Sequence, residues 1–151
     1  MKRSAFLAIV CFAWGTSAAQ AGGPFTYTPL APCRIVDTRG PAGPIGGPVL
    51  PAATTRSFPV ARYCSVPANA AAVTLNVSLV SPTNTGFLKI WPFNTTPPLI
   101  SVINATGGEI AIADGVYVPL TVDPNYSISV VYGTGVGGTT HVLIDVTGYF
   151  Q

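Results

Sequence analysis

Apolar and polar residues alternate along most of this chain with a period of two. Over residues 71–80, Val73, Leu75, Val77 and Leu79 fall on one face, and Thr74, Asn76 and Ser78 on the other. Residues 115–122 repeat the pattern, with Val116, Val118, Leu120 and Val122 set against Tyr117 and Thr121. Residues 126–132 place Ile128 and Val130 inward, and residues 141–149 set Val142, Ile144 and Val146 against Leu143, Asp145 and Thr147. This period marks half-buried strands. Shorter strands are predicted at 33–37, 56–60, 87–91, 99–104 and 109–113, with turn-forming stretches at 81–86, 94–98, 106–108, 123–125 and 133–138 between the elements. Proline or glycine interrupts nearly every window after residue 21, so no helix of ordinary length is expected there. Eight to ten short strands without helices predict an all-β fold, either an antiparallel sandwich or a closed barrel. The expectation taken forward is an antiparallel β-sandwich, jelly-roll or Ig-like, with each sheet wet on its outer face.

The first 21 residues change the count of charges. Lys2 and Arg3, the apolar run 5–14 and Ala19-Gln20-Ala21 together read as a secretory signal peptide. The run is shorter than the about 20 residues a membrane span needs. Cys11 follows Ala8-Ile9-Val10 and lacks the small residue a lipid-anchored cysteine requires immediately before it. The expected division is therefore 1–21 signal peptide, 22–32 an extended N-terminal arm or edge strand, and 33–151 the sandwich. The whole chain has 7 basic and 5 acidic residues, but outside the signal there are 5 of each: Arg34, Arg39, Arg56, Arg62 and Lys89 against Asp37, Glu109, Asp114, Asp123 and Asp145. A neutral chain has no surplus cations to displace counterions from phosphates, which excludes nucleic-acid binding. No membrane span is expected, and the product should be secreted, either extracellular or on the cell surface.

After the signal two cysteines remain, Cys33 and Cys64. A disulfide is the simplest reading for an exported pair. The alternative, free thiols or a metal site, lacks ligands, since His141 is the single histidine. The bridge would close a loop worth about 3–4 kcal/mol on the chain-entropy model. That loop contains the Gly- and Pro-rich residues 40–51, where backbone hydrogen bonding is expected to be poorest.

Two strings carry a family likeness: Pro32-Cys33-Arg34-Ile35-Val36-Asp37-Thr38-Arg39 near the start and Asp145-Val146-Thr147-Gly148-Tyr149-Phe150 at the end. Between them lie Cys64 with Val66-Pro67, then residues 72–78 and 101–104. Together they resemble a family of exported bacterial β-domains with a P-x-R-x-x-D-T-R string near the start and D-V-x-G-Y-F at the end. The chain departs from that pattern at Ala113-Asp114 and at Cys64-Ser65-Val66-Pro67. The resemblance implies a β-rich extracellular module and no particular reaction or ligand.

Asp145 stands mid-strand between Ile144 and Val146, where a charge needs a partner. The expectation is an ion-pair network of Arg34, Asp37, Arg39 and Asp145 that pins the first strand to the last, with a polar ligand site on these residues as the lesser reading. If the pairs are buried, breaking one costs about 3–5 kcal/mol. Catalysis finds little support. His141 and Asp145 sit about 13 Å apart on one strand at about 3.3 Å per residue, too far for a triad. No nucleophile turn, paired carboxylates, phosphate loop or zinc spacing is present. No enzyme activity, cofactor or metal is expected, and calcium at Asp114 and Asp123 is the weaker alternative. Asn76, Asn94 and Asn104 begin glycosylation-type triplets that bacterial export ignores.

Two surfaces invite contact. Phe25-Thr26-Tyr27-Thr28 alternates and belongs either to its own sheet or to a neighbour's sheet edge. Phe87, Trp91, Phe93 and Tyr132 either form a stacking platform for sugars or place Trp91 over the core before Pro92. The expected function is a secreted, non-catalytic structural protein, a self-assembling subunit of an extracellular fibre or surface coat. It would bind itself head to tail, and surface glycans are a further candidate partner. The competing reading is a carbohydrate- or cell-wall-binding module.

Overall fold

A computed structural model describes residues 24–125 and 127–151 of the chain. The expected signal peptide lies outside the described residues, as does Tyr126. Among the described residues the fold is all-β, with nine strands: β1 Tyr27–Asp37, β2 Leu50–Pro51, β3 Thr55–Phe58, β4 Ala72–Val80, β5 Gly86–Pro92, β6 Ile103–Ala105, β7 Ala111–Pro119, β8 Ile128–Gly133 and β9 Thr139–Phe150. They form two antiparallel sheets. The first has the order β1-β9-β4-β7, with β2 pairing the start of β9, and the second has the order β3-β8-β5-β6. The last strand thus lies beside the first.

The alternation seen in the sequence accounts for the core. Val73, Leu75, Val77 and Leu79 of β4 and Val142, Ile144 and Val146 of β9 are all buried. They face Phe58, Leu88, Ile90, Ile128, Val130 and Tyr132 from the second sheet in one apolar cluster. Burying side chains of this size is worth roughly 1.5–3 kcal/mol each, and that burial holds the two layers together.

Several expected boundaries move. The strands predicted at 109–113 and 115–122 are one strand, β7, because Gly115 continues the ladder opposite Asn76 instead of turning. Val122 was expected inward but is exposed. Pairing ends where the Leu120 N–H meets the Ala71 carbonyl, before the Asp123-Pro124 turn. The strand predicted at 99–104 shrinks to β6; Leu99 and Ile100 follow Pro97-Pro98 and stand in solvent. The strand predicted at 33–37 begins earlier, at Tyr27, so the expected arm boundary at 32/33 falls inside β1. Pro29 and Pro32 fit there because β1 is an edge and its register shifts between Pro29 and Cys33.

Residues 40–51 are better bonded than expected. Leu50 and Pro51 pair with Thr140 and Thr139. The Gly47 N–H donates to the Pro41 carbonyl at 2.9 Å, and the Asp37 N–H to the Ile45 carbonyl at 3.0 Å. The organiser is Arg56 on β3. Its guanidinium donates to the carbonyls of Pro48, Gly43, Gly46 and Gly47 at 2.5–2.9 Å and lies 4.9 Å from the Phe58 ring centroid. Carbonyl dipoles, not a carboxylate, satisfy this charge. Burial draws the Arg56 pKa down from the usual guanidinium value.

Candidate functional site

The predicted disulfide is present: Cys33 on β1 is bonded to Cys64, with Cα atoms 5.9 Å apart. It ties the first strand to a connection in which Arg62, Cys64 and Ser65 all have positive φ. A disulfide points to an oxidising compartment. No helix among the described residues is long and apolar enough to cross a membrane.

The four residues of the expected ion-pair network come together. Arg34 and Asp145 are cross-strand partners in β1 and β9, and Arg34 Nε and Nη2 donate to the two Asp145 oxygens at 2.6 and 2.8 Å. Arg39 holds Asp37 in the same two-pronged way at 2.9 and 2.6 Å, and Arg34 reaches Asp37 at 3.6 Å. The network lies on the outer face, with the Arg34 side chain 43% and Asp145 17% exposed. The buried-pair figure therefore does not apply, and the Arg34–Asp145 pair is worth about 1 kcal/mol or less. The Arg34 hydrogen bonds hold the Asp145 carboxyl below its ordinary value, with a smaller contribution from the Asn76 side chain. The Arg39 hydrogen bonds hold Asp37 well below the carboxylate range. Asn76 belongs to this group although the motif did not mark it; its place opposite Asp145 in the β4–β9 register is the signal that would have found it.

Of residues 25–28, Thr26, Tyr27 and Thr28 lie against their own sheet, and Phe25 is exposed. Tyr27 and Thr28 pair with Phe150 and Tyr149, and Thr26 and Gln151 exchange two backbone hydrogen bonds. The Tyr27 ring lies across β9. A Cβ built on Gly148 would fall 2.4–2.6 Å from the Tyr27 hydroxyl, Cε2 and Cζ, nearly equidistant from all three. The hydroxyl end of the Tyr27 ring thus covers Gly148. Only glycine permits that approach.

The four aromatics on the second sheet do not make an exposed platform. Tyr132 is fully buried in the core, and its hydroxyl donates to the Asn84 carbonyl. Trp91 is 5% exposed, although it shares a face with Lys89. The reason is the β5–β6 connection: Lys89 Nζ donates to the Pro98 carbonyl at 2.8 Å and draws that segment over the strand. Phe87 packs over Gly133, and Phe93 is half-buried beyond Pro92. Sequence parity identified the face correctly but could not see what covers it.

His141 Nδ1 lies 3.1 Å from the Thr38 carbonyl, which accepts its proton, while the Thr38 hydroxyl accepts from the Val142 N–H at 2.8 Å. The imidazole thus stitches β9 to the end of β1. No group of three or more His, Cys, Asp or Glu suited to a metal ion exists among the described residues. Asp114 caps the Gly115 N–H at 2.7 Å, and Asp123 caps Asn125 at 2.8 Å.

The remaining feature is strand β7. The Ser81 N–H donates to the Ile110 carbonyl and the Leu120 N–H to the Ala71 carbonyl, so the even-numbered residues of this strand bond to β4. By the alternation of an antiparallel ladder, the N–H groups of Ala111, Ala113, Gly115 and Tyr117 point away from the sheet. Beside them stand the exposed side chains of Ile110, Tyr117, Leu99 and Ile100, and a groove of about 230 Å³ lined by Ile100, Val102, Val116 and Pro119. No family model matches this chain and no curated protein matches it, so its reading rests on these residues and their geometry.

Proposed function

We propose that this protein is a secreted, non-catalytic structural subunit that associates with copies of itself, as in an extracellular fibre or surface coat. One observation carries the reading: β7 is an open edge, whereas the other edges are blunted. Natural sheets protect their edges with prolines, bulges, charges or brevity. Strand β1 has Pro29, Pro32, two register shifts and Arg34; β3 has four residues and is followed by Pro59; β6 has three residues. Strand β7 has nine residues, a single charge at Asp114 and no proline before Pro119. Asp114 caps the Gly115 N–H from within the strand; the outward N–H groups of Ala111, Ala113 and Tyr117, with the exposed Ile110 at one end, suit a strand from a second copy.

The partner strand is expected at β7 and not through residues 25–28, of which 26–28 already pair within the monomer. Export is supported by the disulfide and by the signal-like first 21 residues.

Ala113→Pro tests the proposal cleanly, since the N–H it removes points outward and the β4 ladder is untouched. The variant should keep the native circular-dichroism spectrum and lose the high-mass species seen by light scattering. A wild-type protein that stays monomeric at high concentration, without fibres in electron micrographs, would falsify self-assembly.

A further inference from the structure

The outer face of the first sheet carries a second surface that the assembly edge does not explain. Three aromatic rings cross it in a row. Tyr27 and Phe150 have centroids 5.1 Å apart, and Phe150 and Tyr117 6.0 Å. The strand between β9 and β7 contributes Ala72 at this level, opposite both Phe150 and Pro119, so no side chain rises between the rings. Tyr27 lays the hydroxyl end of its ring over Gly148 and is 45% exposed, and Tyr117 is 74% exposed. Both side chains therefore present substantial aromatic surface to solvent. Successive rings are tilted to one another by 46° and 52°.

Polar groups flank the rings in register. Thr74 lies directly opposite Tyr117, and its hydroxyl is 2.9 Å from that of Thr147 and 3.4 Å from the Tyr27 hydroxyl. One row further along, Arg34, Asp145, Asn76 and Gly115 are successive cross-strand partners. Arg34 and Asp145 neutralise one another, and Gly115 adds no side chain; a Cβ there would meet nothing within 4 Å. The result is a shallow cleft of about 370 Å³ with Tyr27 and Tyr117 as walls and the two threonines in its floor.

We infer that this cleft binds a neutral, linear β-1,4-linked pyranose chain. Such a sugar has equatorial hydroxyls and axial C–H bonds on both ring faces. The C–H faces match the aromatic walls Tyr27 and Tyr117, with Phe150 buttressing both rings. The edge hydroxyls match Thr74 and Thr147 in the floor, with Asn76 and the paired Arg34 and Asp145 one row beyond for a longer chain. A charged ligand would find no unpaired counter-charge here, and a lipid chain would find hydroxyls in place of a dry groove. A few placed polar groups among aromatic walls are what ligand clefts use to orient their occupants. The cleft shares Tyr117 and Gly115 with the assembly edge, but the outward N–H groups of β7 play no part in it, so the two readings are separated by Ala113→Pro.

The test is calorimetric titration of the full secreted chain with cellohexaose and with chitohexaose, using maltohexaose and heparin as shape and charge controls. One or both β-1,4 hexamers should bind, and neither control should. Tyr117→Ala, at an exposed side chain, should weaken binding about tenfold or more while leaving the melting temperature within a few degrees. Thr74→Val should weaken it without removing a ring. Ala113→Pro should bind the sugar as the parent does while failing to assemble. No binding by either hexamer, equal binding by the controls, or an unchanged affinity in Tyr117→Ala would overturn the assignment. So would a Tyr117→Ala variant that loses molecular mass instead of sugar, which would make this face a contact between copies.

Discussion

Arg34, Asp37, Arg39 and Asp145 show how a short motif becomes architecture. Each carboxylate is gripped by two guanidinium nitrogens, and Arg34 joins β1 to β9 across the register. Both carboxyls titrate below the 3.8 of an unfolded aspartate. A depressed folded pKa contributes stability above the unfolded value and loses it as pH falls through the folded one. The melting temperature should therefore be flat above about pH 5 and decline below about pH 4. Asp145→Asn should lower it modestly at neutral pH and flatten the acid limb; an unchanged acid limb would show that the pair contributes nothing. Arg56 is expected to matter more than these exposed pairs. Arg56→Ala removes the shared donor of four carbonyls, of which those of Gly43 and Gly47 keep a backbone N–H, and should release residues 43–48, seen as faster amide exchange at Gly46 and Gly47. Arg56→Lys should rescue only part of that protection, because an ammonium cannot fork among four acceptors.

At the level of strands, the interior ones were legible and the edges were not. β4, β8 and β9 follow their period-two patterns because a buried face imposes a strict alternation. Edge strands escape that constraint. β1 runs through two prolines, β7 through a glycine and an aspartate, and β6 retains three residues of a longer apolar stretch, so local composition misplaced their ends. The same distinction separates the candidate sites. The Asp–Arg network was visible because a charge between Ile144 and Val146 demands a partner. The burial of Trp91 was not, because it depends on the distant Pro98 carbonyl that receives Lys89. Removing residues 25–28 should uncover Tyr149 and Phe150 on β9 and lower stability. If assembly runs through β7 as proposed, the truncated chain should still form high-mass species. Loss of those species by a truncated chain that remains folded would return the contact to the N-terminal segment.

For the molecule as a whole, the disulfide anchors β1 to the irregular connection that precedes β4. Cys33→Ala with Cys64→Ala should cost about 3–4 kcal/mol by the loop-entropy argument, read from the shift in urea midpoint. A shift near zero would mean that Arg56 and the backbone bonds of residues 40–51 already confine that loop. The pairing of Thr26 with Gln151 has a wider consequence. Segments attached at either end leave from the same corner of the sandwich, so a fused payload and a tether would emerge side by side. The topology also tolerates re-cutting. Joining residue 151 to residue 24 by a few glycines, and opening the chain at the exposed β8–β9 turn near Val136, should yield a circular permutant that folds to the same two layers.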